Sequence, residues 1–209
     1  MKIGLLGGTF DPPHILHERI AGKAKKVLRL DKTILIPTYE TKYYGEESAK
    51  NPTRPDLRLA MAQKIPGVEV WDLDIRHKLD GQTRHTIAHL EPGPEYVWIM
   101  GSDQDITRWL DYEKLLDFME FYVVPRYPTH KFPVKLVHPR MHALCDEPLV
   151  DFEIDSSAIR EHLRSGRGVG EIVEPSGKPL RELMHPRVLE YVLENNVYNE
   201  GNQYGKEIR

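Results

Sequence analysis

Gly7-Gly8-Thr9-Phe10-Asp11-Pro12-Pro13-His14-Ile15-Leu16-His17 separates a short run of branched apolar residues, Lys2 to Leu6, from an amphipathic stretch, His14 to Leu30. A run of that length closed by glycines reads as a buried strand. Leu16, Ile20, Ala24, Val27 and Leu28 recur at helical spacing, so the turn joins a strand to a helix that lays one stripe on a sheet and turns its Lys and Arg outward. Paired glycines at such a turn let backbone N–H groups approach phosphate oxygens, and the helix start adds the positive end of its dipole. His14 and His17 are three positions apart, so on a helix both imidazoles leave one face toward the same bound group. Two histidines at this spacing are usually surface or structural residues; one turn past a glycine turn they point to a phosphate.

Outward from the turn, short apolar runs alternate with amphipathic stretches, the pattern of strand-helix-strand units in a parallel α/β sheet. Strands are predicted at Lys2 to Leu6, Thr33 to Pro37, Val68 to Leu73, Tyr96 to Met100 and Phe121 to Val124. Helices are predicted at His14 to Leu30, Pro55 to Lys64, Thr83 to Leu90 and Tyr112 to Phe118. Thr38 to Arg54 reads as a long surface loop of the kind that serves as a functional lid. A Pro-rich connection, Arg126 to Pro133, precedes a short strand expected at Val134 to Val137. Ser156 and Ser157 open a helix that ends near Gly166, and a last helix runs from Pro186 to Asn195. With no internal repeat and no strong linker, residues 1–198 read as one domain whose part 151–198 is helical, followed by a polar tail, 199–209.

A chain of 209 residues with an average apolar fraction and a net charge of only -3 excludes disorder and a broad nucleic-acid footprint. No apolar run approaches the ~18 to 20 residues of a membrane span, and Met1 to Gly7 is too short for a signal peptide. The expectation is a cytoplasmic protein with neither a nucleic-acid nor a membrane partner; whether it forms a homo-oligomer is not legible. Cys145, the single cysteine, has no activating partner nearby in the sequence and reads as a packing residue. His85 and His89 have the spacing of a metal pair, but no third ligand is evident, so no metal residues are assigned. His138 and His142 share that spacing, yet Pro139 spoils a helix there, which leaves a loop pair without special chemistry.

The opening motif resembles the nucleotidyltransferase superfamily, whose signature is a glycine turn, Thr-Phe-Asp-Pro and then His-x-Gly-His. Within it, the motif resembles the nicotinate or nicotinamide mononucleotide adenylyltransferases. Gly101-Ser102-Asp103 is similar to the family's Gly-x-Asp, which holds adenosine, and Trp109 with Leu115-Leu116 to its Trp segment, where the indole meets the pyridine ring. Ile154-Asp155-Ser156-Ser157-Ala158-Ile159-Arg160 resembles the family's triphosphate-binding helix start. His185 to Val192 resembles its closing helix. The likeness spans residues 1–198 with the motifs in the family's order.

The resemblance implies a Rossmann-like doubly wound parallel sheet with C-terminal helices. It implies transfer of AMP from ATP to nicotinate or nicotinamide mononucleotide, in NAD biosynthesis, with Mg2+ carried by the ATP phosphates. His14, His17 and Arg160 would be catalytic; Gly7, Gly8, Thr9, Phe10, Gly101, Asp103, Ser156 and Ser157 would bind ATP; Thr86 and Trp109 would bind the mononucleotide. Three positions depart from the pattern. Leu16 replaces a glycine that leaves room for the nucleotide. Thr38 to Tyr44 replaces a Pro-Pro-His-Lys segment, with Lys42 standing in for its lysine as an ATP ligand. His85 replaces an aromatic ring that would face the pyridine, beside a Thr86 still able to donate, so the choice between nicotinate and nicotinamide stays open. The alternatives are transfer to another small phosphate, such as phosphopantetheine, and a dinucleotide-binding module without catalysis. Gly101 to Trp109 argues against the first, and joint retention of His14, His17 and Arg160 against the second.

Overall fold

The computed structural model describes residues 1–40 and 53–198; Lys42, with the centre of the expected lid, and the tail 199–209 lie outside them. Six strands, β1 (Lys2–Gly8), β2 (Lys32–Pro37), β3 (Glu69–Val70), β4 (Glu95–Gly101), β5 (Glu120–Val124) and β6 (Met141–Ala143), form one sheet in the order β3-β2-β1-β4-β5-β6. Every neighbouring pair is parallel. The order reverses direction at β1, so a crevice opens beyond the carboxyl ends of β1 and β4, where ligands of open α/β sheets bind.

The two-residue side-chain period of the strands feeds two cores. Leu6, Leu35, Val97, Ile99 and Val124 face one side, with Leu16, Ile20 and Ala24 of α1 (Ile15–Val27) and Met61 of α2 (Pro55–Ala62). Leu5, Ile34, Ile36, Trp98, Met100 and Phe121 face the other, with Leu115 and Leu116 of α5 (Tyr112–Phe118). Helices therefore cover both faces, the doubly wound arrangement expected. The first core also takes in Ile159 of α6 (Ser156–Arg164) and Val188 and Val192 of α8 (Pro186–Glu194), so the closing helices pack on the same face as α1. Val27 is 46% exposed and stands off the stripe in which it was expected.

Two strands differ from expectation. β3 covers only two residues; the ladder extends as far as Trp71, whose N–H donates to the Leu35 carbonyl (2.9 Å), and the chain then coils into α3 (Leu73–Arg76), braced by the Asp72–Arg76 ion pair. Val134 to Val137 forms no strand. Pro133 and Pro139 flank it without N–H groups to give, Leu136 and Val137 are half exposed, and the sheet gains its sixth strand at β6, in register through Phe121 and Met141. The β7 (Ile172–Val173) and β8 (Lys178–Pro179) hairpin and the short α7 (Leu180–Leu183) were not foreseen, being too brief to leave a period. Among the described residues no helix is long and apolar enough to cross a membrane.

Candidate active site

The crevice holds a cavity of about 590 Å³, within the size range of small-molecule sites. Every predicted site residue in the described part of the chain lines it: Gly7, Gly8, Thr9 and Phe10 from the first turn, His14 and His17 from α1, Gly101 and Asp103 beyond β4, Thr86 and Trp109, and Ser156, Ser157 and Arg160 of α6.

The glycines are there because side chains crowd them. A Cβ on Gly7 would meet the Trp98 indole at 2.7 Å, and one on Gly101 would collide with the Asp103 carboxylate. Phe10 sits at φ +50°, a left-handed conformation that costs a non-glycine residue free energy and persists only where its surroundings enforce it. Here they do: Phe10 is 2% exposed, with its ring edge-on to His17 at 4.9 Å between centroids.

His14 is the residue before α1, and its N–H donates to Nδ1 of His17 (3.0 Å). With Nδ1 accepting, the proton of a neutral His17 belongs on Nε2. The two rings stack at 3.8 Å, and buried Nδ1 of His14 has no hydrogen-bond partner among the described residues. Burial, and then the positive charge of Arg126, lowers the His17 pKa to about 3; burial, His17 and Arg126 together hold His14 well below its ordinary value. Both imidazoles are thus neutral at physiological pH.

On the far wall, Asp155 rather than a serine caps α6: its carboxylate accepts from the Ser157 N–H (2.8 Å). Ser156 Oγ donates to the Pro12 carbonyl (3.0 Å), fastening the start of α6 to the first turn, and Arg160 Nη2 donates to Ser157 Oγ (3.0 Å).

Two of the departures, and Thr86 beside them, resolve differently from expectation. Leu16 is buried in the core behind α1 and does not line the cavity. His85 does not line it either; its Nδ1 pairs with the Asp80 carboxylate at 2.8 Å, a partner that sequence spacing did not reveal. Thr86 lines the cavity but donates its hydroxyl proton to Asp74 (2.8 Å), so the donor expected of it is already engaged. Of the other histidines, His89 Nδ1 meets the His85 carbonyl, and His142 lies on β6, not in a loop, paired with Glu120. Burial raises the Cys145 thiol pKa, which suits a packing residue.

Sequence reading missed several groups. Arg126, the second residue after β5, lines the cavity, donates to the Ile154 carbonyl (3.0 Å) and stands 3.8 Å from Asp103. Its place at a strand's carboxyl end was a usable signal. Arg58 is fully buried on α2 and donates to the carbonyls of Thr9, Tyr39 and Thr53, tying the turn after β1 to both sides of residues 41–52. Thr38 also lines the cavity, its buried Oγ1 without a hydrogen-bond partner among the described residues. Nothing in the local sequence marks these last two.

The family model for cytidylyltransferase-like domains matches residues 5–162. The chain belongs to this family. Among cytidylyltransferase-like proteins it is 30% identical, over 83% of its length and 90% of the relative's, to a probable nicotinate-nucleotide adenylyltransferase of Dehalococcoides mccartyi. It is 28% identical to another of that description from Flavobacterium johnsoniae, over 96% of this chain and all of that one. A solved structure with the same fold is Plasmodium falciparum nicotinic acid mononucleotide adenylyltransferase complexed with NaAD, at TM-score 0.66, 20% identity and coverage of 94% and 97%. The same Plasmodium protein complexed with APC aligns at TM-score 0.65. The fold is accordingly shared with these structures.

Proposed function

We infer that this cavity joins the AMP part of ATP to the phosphate of nicotinate mononucleotide. The protein is a nucleotidyltransferase, and the adenylyl transfer serves NAD biosynthesis, as the names of its full-length relatives support. The observation that carries the reading is the convergence of the glycine turn, two neutral imidazoles and the start of α6 on one cavity.

A phosphate oxygen of the mononucleotide attacks the α-phosphorus in line, the bond to the β-phosphate bridge breaks, and pyrophosphate leaves without a covalent enzyme intermediate. The nucleophile needs no base, because a phosphate monoester with a second pKa near ~6 is already largely dianionic at neutral pH. Holding two substrates in line supplies ~7 to 11 kcal/mol of barrier lowering. His14 and His17 face the α-phosphate, with Nε2–H of His17 as a donor; Arg160 and the Ser157 hydroxyl, which accepts from Arg160 and is itself a donor, take the charge that grows on pyrophosphate. Gly101 and Asp103 hold adenosine, and Trp109 and Thr86 the pyridine end. Mg2+ would ride on the triphosphate and neutralise part of its charge. It keeps most of its waters, and among the described residues no group of three ligands is clustered for it, so no residue is assigned to hold it.

The test is pyrophosphate release from ATP and Mg2+ with nicotinate mononucleotide, nicotinamide mononucleotide or phosphopantetheine as acceptor. Release fastest with nicotinate mononucleotide is expected. Preference for phosphopantetheine, or no release with any acceptor, would overturn the reading.

A further inference from the structure

Asp11 touches no substrate in the scheme above, yet three segments distant in sequence meet at it. It is 2% exposed. Its Oδ2 accepts from the Thr53 N–H (3.0 Å), its Oδ1 accepts from the hydroxyl of Tyr198 (3.1 Å), and Arg160 donates through Nη1 to its backbone carbonyl while standing 3.8 Å from Oδ2. Tyr198 lies beyond α8, is 7% exposed, and also has its hydroxyl 3.6 Å from Met61 Sδ. Burial, and next the charge of Asp11, holds its phenol far above the ordinary pKa, so it is a neutral donor.

We propose that Tyr198 is a positioning residue for Arg160, acting through Asp11. The carboxylate can turn about its own bond. With Thr53 on one oxygen and Tyr198 on the other, it is fixed in the orientation that places negative charge beside the guanidinium, while Ser157 Oγ holds the second arm of the fork. Arg160 is thereby set before the triphosphate binds, and no ordering is left to be done as pyrophosphate departs. Without the Tyr198 hydroxyl the carboxylate keeps its charge but loses its fixed direction, and the guanidinium samples other positions. The inference rests on the reading of Arg160 as the leaving-group cation.

The test is a double-mutant cycle on the full chain with Tyr198→Phe, which keeps the buried ring, and Arg160→Ala. Expected for Tyr198→Phe is a fall of about tenfold in kcat and in calorimetric affinity for pyrophosphate, the size of a lost hydrogen bond to a charged group. The KM for the mononucleotide should not move. In the Arg160→Ala background the same change should lower neither quantity further. A purely structural tyrosine would lower the melting temperature and leave pyrophosphate affinity untouched at temperatures where the protein is folded. Wild-type kcat and pyrophosphate affinity in Tyr198→Phe, or losses that add in the double variant, would overturn the proposal. If Arg160→Ala alone behaves as wild type, the role of Arg160 fails instead, which separates the two failures. Should Tyr198→Phe unfold, Asp11→Asn enters the same cycle, with the same non-additivity expected.

Discussion

His17 shows how one backbone contact can select a chemical species. Because its Nδ1 accepts the His14 N–H, the neutral ring offers Nε2–H to the cavity. Its pKa near 3 means that the free enzyme's imidazole stays neutral from about pH 4 upward, so its titration does not limit the rate in the neutral range. His17→Ala should lower turnover at least ~100-fold, the usual loss of one transition-state donor. In kcat/KM, which reports the free enzyme, the factor should be the same at pH 6 and pH 8. An acid limb in kcat/KM near pH ~6 is expected, but it belongs to the substrate's phosphate and should persist in His17→Asn. Its disappearance in that variant, measured from pH 5 to 8.5, would assign the proton to the histidine.

At the scale of elements, the pairing of α3 with α4 (Thr83–Ala88) carries a cost. Asp74 of α3 is 1% exposed and accepts from Thr86 of α4, and burial, its largest influence, raises its pKa to about 6. An acid whose folded pKa lies above its unfolded value of ~3.9 binds more protons folded than unfolded between those two values, so its contribution to stability falls as pH rises from about 4 to about 6 and stays low above. A shift of that size corresponds to roughly 2 to 3 kcal/mol. Asp74→Asn keeps an acceptor for Thr86 and removes the buried charge. It should therefore raise the melting temperature at pH 8, with the advantage shrinking to nothing near pH 4. Equal melting temperatures at pH 8 would show that Asp74 is not desolvated when charged.

For the whole molecule, the cavity is assembled from segments spread between Gly7 and Arg160, so a bound nucleotide clamps the sheet, α1 and α6 together. A ligand at a hundred times its Kd adds about 2.7 kcal/mol of stability. In a chain of this size that is a rise of roughly 5 to 10 °C in Tm. ATP with Mg2+ should produce it in a thermal melt, and Arg160→Ala should shrink it. An unchanged Tm at millimolar ATP would mean that the cavity takes no nucleotide.

The local sequence by itself determined the sheet's central strands, because Leu5-Leu6, Ile34-Leu35 and Val97-Trp98 belong to short continuous apolar runs, the mark of strands buried on both faces. It also marked one wall of the cavity, where the glycine turn and the two histidines are neighbours in the chain. Only tertiary structure decided which groups back them. Arg58, Asp74, Arg126 and Tyr198 earn their places through partners up to 187 residues away, as in the pair of Tyr198 with Asp11. It likewise turned His85 out of the cavity toward Asp80 and moved the sixth strand to Met141, since charge pairing and ladder hydrogen bonds are settled between segments and not along one.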